Sequence, residues 1–268
     1  MECSVKKISL AALLALPLLA QASAIQFVAE ASNYTLAYSL AMPNSAAFNL
    51  NAIPYTVDQH ASIANGSFSR IAYYMELQRA GGELMYAYAS MDAFTSDASK
   101  IGVPSASSGG FFQQTVSNMN VFSNVAGVVN GTGIGTGNIE FWQFDYSRNN
   151  SAAIPGANNS YDFGDSPDGS GMYGSMQIHN YGAQQTVMAY NNWGRGDNYA
   201  DIGLGNYANG HPDWTFAYNA AGYTIKNLEV LVLMDQGGGP KPLPEPAGLA
   251  LFGAGLLGLG IARRRGRR

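Results

Sequence analysis

Residues 69–78 alternate with period two, placing Ile71, Tyr73, Met75 and Leu77 on one face, and residues 83–94 repeat the pattern with Leu84, Tyr86 and Tyr88. Ala80, Gly81 and Gly82 stand between the two runs. Side chains two apart share a face only in an extended strand, and glycine supplies the backbone freedom a tight reversal needs, so the pair predicts a β-hairpin. A hairpin with one apolar face is unstable alone and demands a second layer. Further strands are expected at 34–41, 111–116, 139–146, 175–181, 185–190, 214–218 and 228–234. A helical turn is expected within 92–100, and the Gly-, Asn- and Ser-rich stretches 127–137 and 149–174 are expected as loops. No internal repeat and no amphipathic helix stands out. Many short strands separated by turn residues give an all-β expectation: a single β-sandwich of jelly-roll, concanavalin-like form over residues 25–235.

The two ends of the chain differ from this middle. Residues 1–24 carry Lys6 and Lys7, an apolar stretch from Ile8 to Ala20, and then Ala22-Ser23-Ala24. A basic start, an apolar core and a small-x-small site form the pattern of a secretory signal peptide, which predicts a cut after Ala24 by signal peptidase. The single cysteine, Cys3, would leave with it. Export to an oxidising space is thereby allowed, but no disulfide would support the fold.

At the other end, a Gly- and Pro-containing linker at 236–243 leads into Pro244-Glu245-Pro246, an apolar run 247–262, and the cluster Arg263, Arg264, Arg265, Arg267 and Arg268. As a helix the run would be about 24 Å long, short of a ~30 Å hydrocarbon core but able to cross with local thinning and a snorkelling arginine. Five arginines beyond it would hold that end in the cytoplasm.

Segment 244–268, with its Pro-Glu-Pro, short Gly- and Leu-rich span and Arg-rich end, resembles the PEP-CTERM sorting signal of Gram-negative bacteria. That resemblance implies recognition at Pro244, Glu245 and Pro246 by exosortase, a membrane-embedded cysteine protease or transpeptidase. It also implies an inner-membrane-anchored precursor that ends at the cell surface or outside the cell. The run from GMYGSMQIHNYG through YTIKNLEVLVL is similar to accessory β-domains of secreted bacterial carbohydrate-active proteins, which implies association with saccharide such as exopolysaccharide. No catalytic motif accompanies it.

Between residues 25 and 241 seven basic residues face sixteen acidic ones, a balance of −9 that the terminal lysines and arginines mask. Such a domain has no basic patch to neutralise phosphates, so nucleic acid is not an expected partner.

Candidate sites follow from loop composition. Tyr190-Asn191-Asn192-Trp193 sets amides beside aromatic rings, a combination suited to sugar faces and hydroxyls, and Trp142, Trp214 and Tyr199 add further aromatics. Their competing role is core packing. Asp162, Asp165 and Asp168 crowd hard oxygen ligands ahead of Gly169, which points to Ca2+, although turn aspartates capping their own backbone give the same pattern. Gly164-Asp165-Ser166 resembles the nucleophile block of GDSL esterases, but the matching Asp-x-x-His is missing, since Ala208 stands three residues before His211. His60, His179 and His211 are isolated in sequence. The expected function is therefore a non-catalytic, saccharide-associated surface or matrix module. A secreted hydrolase with a dispersed site and a purely structural matrix protein are the alternatives.

Overall fold

A computed structural model describes residues 24–44, 52–105, 112–142, 175–183, 185–193, 199–205 and 220–235. The described residues form two antiparallel sheets. One contains β1 (Thr35–Ala41), β2 (Val57–Asp58), β3 (Phe68–Gln78), β4 (Met85–Asp92), β6 (Asn120–Ser123) and β11 (Ile225–Met234), in the order β2-β1-β11-β3-β4-β6. The other contains β5 (Phe112–Val116), β7 (Gly137–Trp142), β8 (Ser175–Asn180), β9 (Gln185–Trp193) and β10 (Tyr199–Leu204), in the order β10-β9-β8-β7-β5. The all-β expectation is met in this form.

The expected hairpin is β3 with β4: Gly81 takes a left-handed φ of +72°, and Leu77 pairs with Met85. Ile71, Tyr73, Met75 and Leu77 pack in a core that also contains Ile139, Met176, Ile178, Met188, Tyr190 and Ile202 of the second sheet. One apolar layer therefore joins both sheets in a sandwich-like arrangement. The expected helical turn is a short 3-10 turn at Ala98–Lys100, started by Asp97, whose side chain accepts from the Ser99 amide. β6 and β10 arise where no strand was expected. The expected strand 214–218, the loop 149–174 and the membrane segment 247–262 lie outside the described residues. Among the described residues no helix is long and apolar enough to cross a membrane.

The second face of the six-stranded sheet departs from the sequence expectation. Alternation predicts one solvated face, yet Ala72, Tyr74, Tyr88 and Leu231 are buried there beneath residues 24–34. That segment forms a short helix α1 (Ala24–Phe27) and a 3-10 turn (Ala29–Asn33), and the Val28 amide donates to the Ala24 carbonyl at 2.9 Å. Ala24, Val28 and Ala31 recur at i, i+4 and i+7 and are buried. Two of the three are alanines, so the segment approaches the sheet closely while giving little hydrophobic signal in the sequence.

Tyrosines fill much of both layers because the ring packs and the hydroxyl reaches a partner at the margin. Tyr73 donates to the Ile101 carbonyl at 2.8 Å, Tyr38 to that of Ala98 at 3.0 Å, and Tyr74 to Glu76 at 2.9 Å. Burial is the main reason the phenols of Tyr38, Tyr55, Tyr73, Tyr74 and Tyr88 ionise well above their ordinary range.

Two outcomes are expected from this packing. A folded-state phenol pKa above the unfolded value gives stability that is complete below about pH 10 and lost above it, as the unfolded chain ionises first. The urea midpoint should thus hold level to about pH 9 and then fall, less steeply in Tyr73→Phe. Gly137, at the start of β7, has no room for a side chain: an added Cβ would run into the Met119 sulfur and the His179 carbonyl oxygen. Gly137→Ala should cost roughly 3 kcal/mol or more in denaturant unfolding. Gly127→Ala meets nothing nearby and has only its φ of +91° to strain it, and should cost about 1 kcal/mol.

Candidate functional site

Strand pairing sorts the predicted binding residues onto opposite faces. In β9 and β10, Met188 pairs with Leu204, Tyr190 with Ile202, Asn192 with Ala200, Asn191 with Asp201, and Trp193 with Tyr199. Met188, Tyr190, Ala200, Ile202 and Leu204 are fully buried in the shared core. Tyr190 is thus a core side chain with no surface to offer, and Asn192 occupies a position of the same parity. Asn191 and Trp193 take positions on the other face.

The same ladder extends across the sheet. Asn191 pairs with Ser175, and Ser175 with Trp142; Ala189 pairs with Gln177, and Gln177 with Glu140. One row of positions therefore reads Trp142, Ser175, Asn191, Asp201, with Trp193 and Tyr199 two residues along at the β9–β10 end. Neighbouring strands lie about 4.8 Å apart and same-face positions about 6.7 Å apart along a strand. Sequence reasoning noted the aromatics but could not bring Asp201, Ser175 and Trp142 into one row, because that requires β10 and its register.

The described side chains at the middle of this face include three that are polar and fully buried. Gln177, His179 and Thr186 each show 0% exposure. His179 and Thr186 are cross-strand partners, with the imidazole Nδ1 3.0 Å from the Thr186 hydroxyl. A bulge beside them lets Val187 join the core next to Met188.

His60 sits on the opposite sheet's margin, in the turn after β2. Its Nδ1 lies 2.5 Å from the Asp58 carboxylate, and its ring stacks on Tyr38 at 5.4 Å. The nearest hydroxyl along the chain, that of Ser62, donates instead to the Gln59 carbonyl at 2.7 Å. This pairing orients an imidazole but supplies no nucleophile among the described residues. Asp97, close enough to feel His60, is held below the usual carboxylate range first by the Ser99 hydroxyl and then by its amide. His211, Asp162, Asp165 and Asp168 lie outside the described residues, as do Ala22, the sorting residues Pro244, Glu245 and Pro246, and Arg263, Arg264, Arg265, Arg267 and Arg268. Among the described residues no group of three or more His, Cys, Asp or Glu is placed to hold a metal ion.

A denser polar cluster, which the sequence did not suggest, closes the outer face of the six-stranded sheet. Glu30 Oε1 accepts from Tyr34 at 2.9 Å, Ser90 at 2.6 Å and Tyr88 at 3.3 Å, and its Oε2 accepts from Asn120 at 2.8 Å. Arg70 donates to the Tyr34 hydroxyl, the Ser90 hydroxyl, the Asn118 carbonyl and, at 3.1 Å, Asp92. Ser90, held between acid and guanidinium, is fully buried and out of reach of a substrate. The cluster is a clamp that fixes residues 24–34 to β3, β4 and β6. Its one sequence clue is the hairpin itself: a reversal centred on Gly81 sets Arg70 opposite Asp92.

No family model, no curated protein and no solved structure matches this chain.

Replacing Glu30 with Ala strands four donors in a half-buried site and should cost about 2–4 kcal/mol. Glu30→Gln keeps one carbonyl oxygen for the hydroxyls and should lose about half as much. Urea unfolding of the two variants beside wild type reads both; equal stability of Glu30→Ala and wild type would show that the clamp contributes nothing.

Proposed function

We propose that this chain is an exported, exosortase-sorted cell-surface or extracellular-matrix protein, and that its β-sandwich is a non-catalytic, saccharide-associated module. The sorting half rests on the terminal patterns: a leader removed by signal peptidase, a transient inner-membrane helix at 247–262 held by the arginines, and exosortase acting at Pro244, Glu245 and Pro246. The saccharide half is carried by the pairing of Trp193 with Tyr199 beside Asn191 and Asp201 on the non-core face of the five-stranded sheet. Aromatic rings cover the weakly apolar faces of a sugar while amide and carboxylate take its hydroxyls, a division of labour common to polar ligand sites. Calcium enters this reading through Asp162, Asp165 and Asp168, whose crowded carboxylates would be neutralised by Ca2+.

The jelly-roll form belongs to the same proposal. It is supported by the stretch from β4 to β7, where consecutive strands alternate between sheets, while the β7–β10 meander keeps to one sheet. The acidic balance of the mature region favours uncharged or cation-bridged polysaccharide over strongly acidic polymers.

The exported protein, purified and applied to a glycan array and to insoluble polysaccharide, should bind a restricted set of sugars. Trp193→Ala or Tyr199→Ala should weaken that binding about tenfold or more each. Loss of binding in EDTA, restored by calcium, would assign the three aspartates a ligand role. Absence of binding with and without calcium would overturn the saccharide reading and leave a structural matrix protein.

A further inference from the structure

We propose that the leader is removed after Ala22, so that Ser23 carries the mature α-ammonium, and that this ammonium docks against the buried carboxylate of Glu229 on β11. The inference rests on the signal-peptide reading and refines it. Two overlapping small-x-small sites are written in the chain, Ala20-Gln21-Ala22 and Ala22-Ser23-Ala24; the sequence reading takes the second, and the first has the same form.

The folded domain favours the first. Ala24 is fully buried among Val28, Ala31, Tyr74 and Leu231. Its amide donates to Glu229 Oε2 at 3.0 Å across 205 residues of sequence, and its carbonyl accepts from Val28. A cut after Ala24 would delete that methyl, that donor and that acceptor together, and would open α1 at its first residue. A cut after Ala22 keeps all three. The new ammonium would then be one residue, about 3.8 Å of chain, from an amide that Glu229 already accepts.

The charge around this point suits a cation. Glu229 and Glu76 are 4% and 5% exposed and stand on neighbouring strands, since Glu229 pairs with Tyr74 and Glu76 with Asn227. Tyr74 donates to Glu76, and Asn227 donates to it at 2.7 Å, so Glu76 is met by neutral groups. The Tyr74 phenol is raised first by burial and then by the negative charge of Glu76, its hydrogen-bond partner, and of Glu229. A positive charge delivered beside Glu229 offsets part of the cost of burying its carboxylate. Because a protease must hold the scissile bond in extended chain, cleavage precedes docking, and the ammonium is available only after processing.

N-terminal sequencing of the exported protein tests the cut. Ser23 as first residue supports the proposal. Ile25 as first residue overturns it while the leader reading stands, and an intact Met1 in the exported protein removes both. The docking is read separately by comparing Glu229→Gln in forms that begin at Ser23 and at Ala20, where the amide of Ala24 is kept but the ammonium is displaced. The expected result is a larger loss of Tm in the Ser23 form; equal losses in the two forms would overturn the ion pair.

Discussion

Burial of β3 on both faces is the constraint from which the remaining architecture follows. Its side chains feed two different layers: Ile71, Tyr73, Met75 and Leu77 meet the five-stranded sheet, while Ala72 and Tyr74 face the other way. Each face needs a cover. The second sheet supplies one, and residues 24–34 supply the other. A strand so enclosed leaves its polar atoms no water, which is why the hydroxyls of Tyr73 and Tyr74 and the carboxylate of Glu76 all have named partners. With no cysteine after Cys3, cohesion rests on these two layers and on the Glu30 and Arg70 clamp that fastens the smaller one.

Which parts of this could be read from the sequence follows from signal strength. The β3–β4 hairpin is legible because four large apolar residues alternate before a Gly-Gly turn and three after it. β10 carries Ala200, Ile202 and Leu204 at the same period, but Asp201 and Gly203 interleave and the run is short, so nothing distinguished it from loop. β6 has four residues and pairs only because Asn118, with φ of +50°, reverses the chain into it. The cover over Tyr74 was invisible for the opposite reason. Alanine is what a close-packed segment needs, and alanine has almost no hydrophobic contrast. The candidate site was half legible: its residue types were plain, but their faces depended on a ladder between two strands of which only one had been foreseen.

Register also changes what the aromatic-amide run means. Read linearly, Tyr190 to Trp193 is one patch. Read on the ladder, it is two alternating sets: Tyr190 closes the core opposite Ile202 and Met176, and Asn191 and Trp193 take the other side. The core member is then useful indirectly, because a fully buried ring with partners on two strands fixes the height and phase of its neighbours. A site built on such a strand is positioned by packing rather than by loop conformation.

The two outer faces are thereby given different fates by the chain's own composition. On the six-stranded sheet, Phe27 stacks on Tyr86 at 5.3 Å, which neighbours Tyr74 at 5.9 Å; the aromatic surface there is consumed by the N-terminal segment and sealed at one corner by Glu30. On the five-stranded sheet the corresponding positions carry Gln177, His179 and Thr186, polar groups that no hydrophobic cover would hold without hydrogen-bond partners. An apolar segment is the economical lid for the first face and a poor one for the second. Gln177, His179 and Thr186 are themselves fully buried, and the His179 imidazole lies beside the Thr186 hydroxyl, so this part of the second face is held by polar contacts where the first is held by apolar ones.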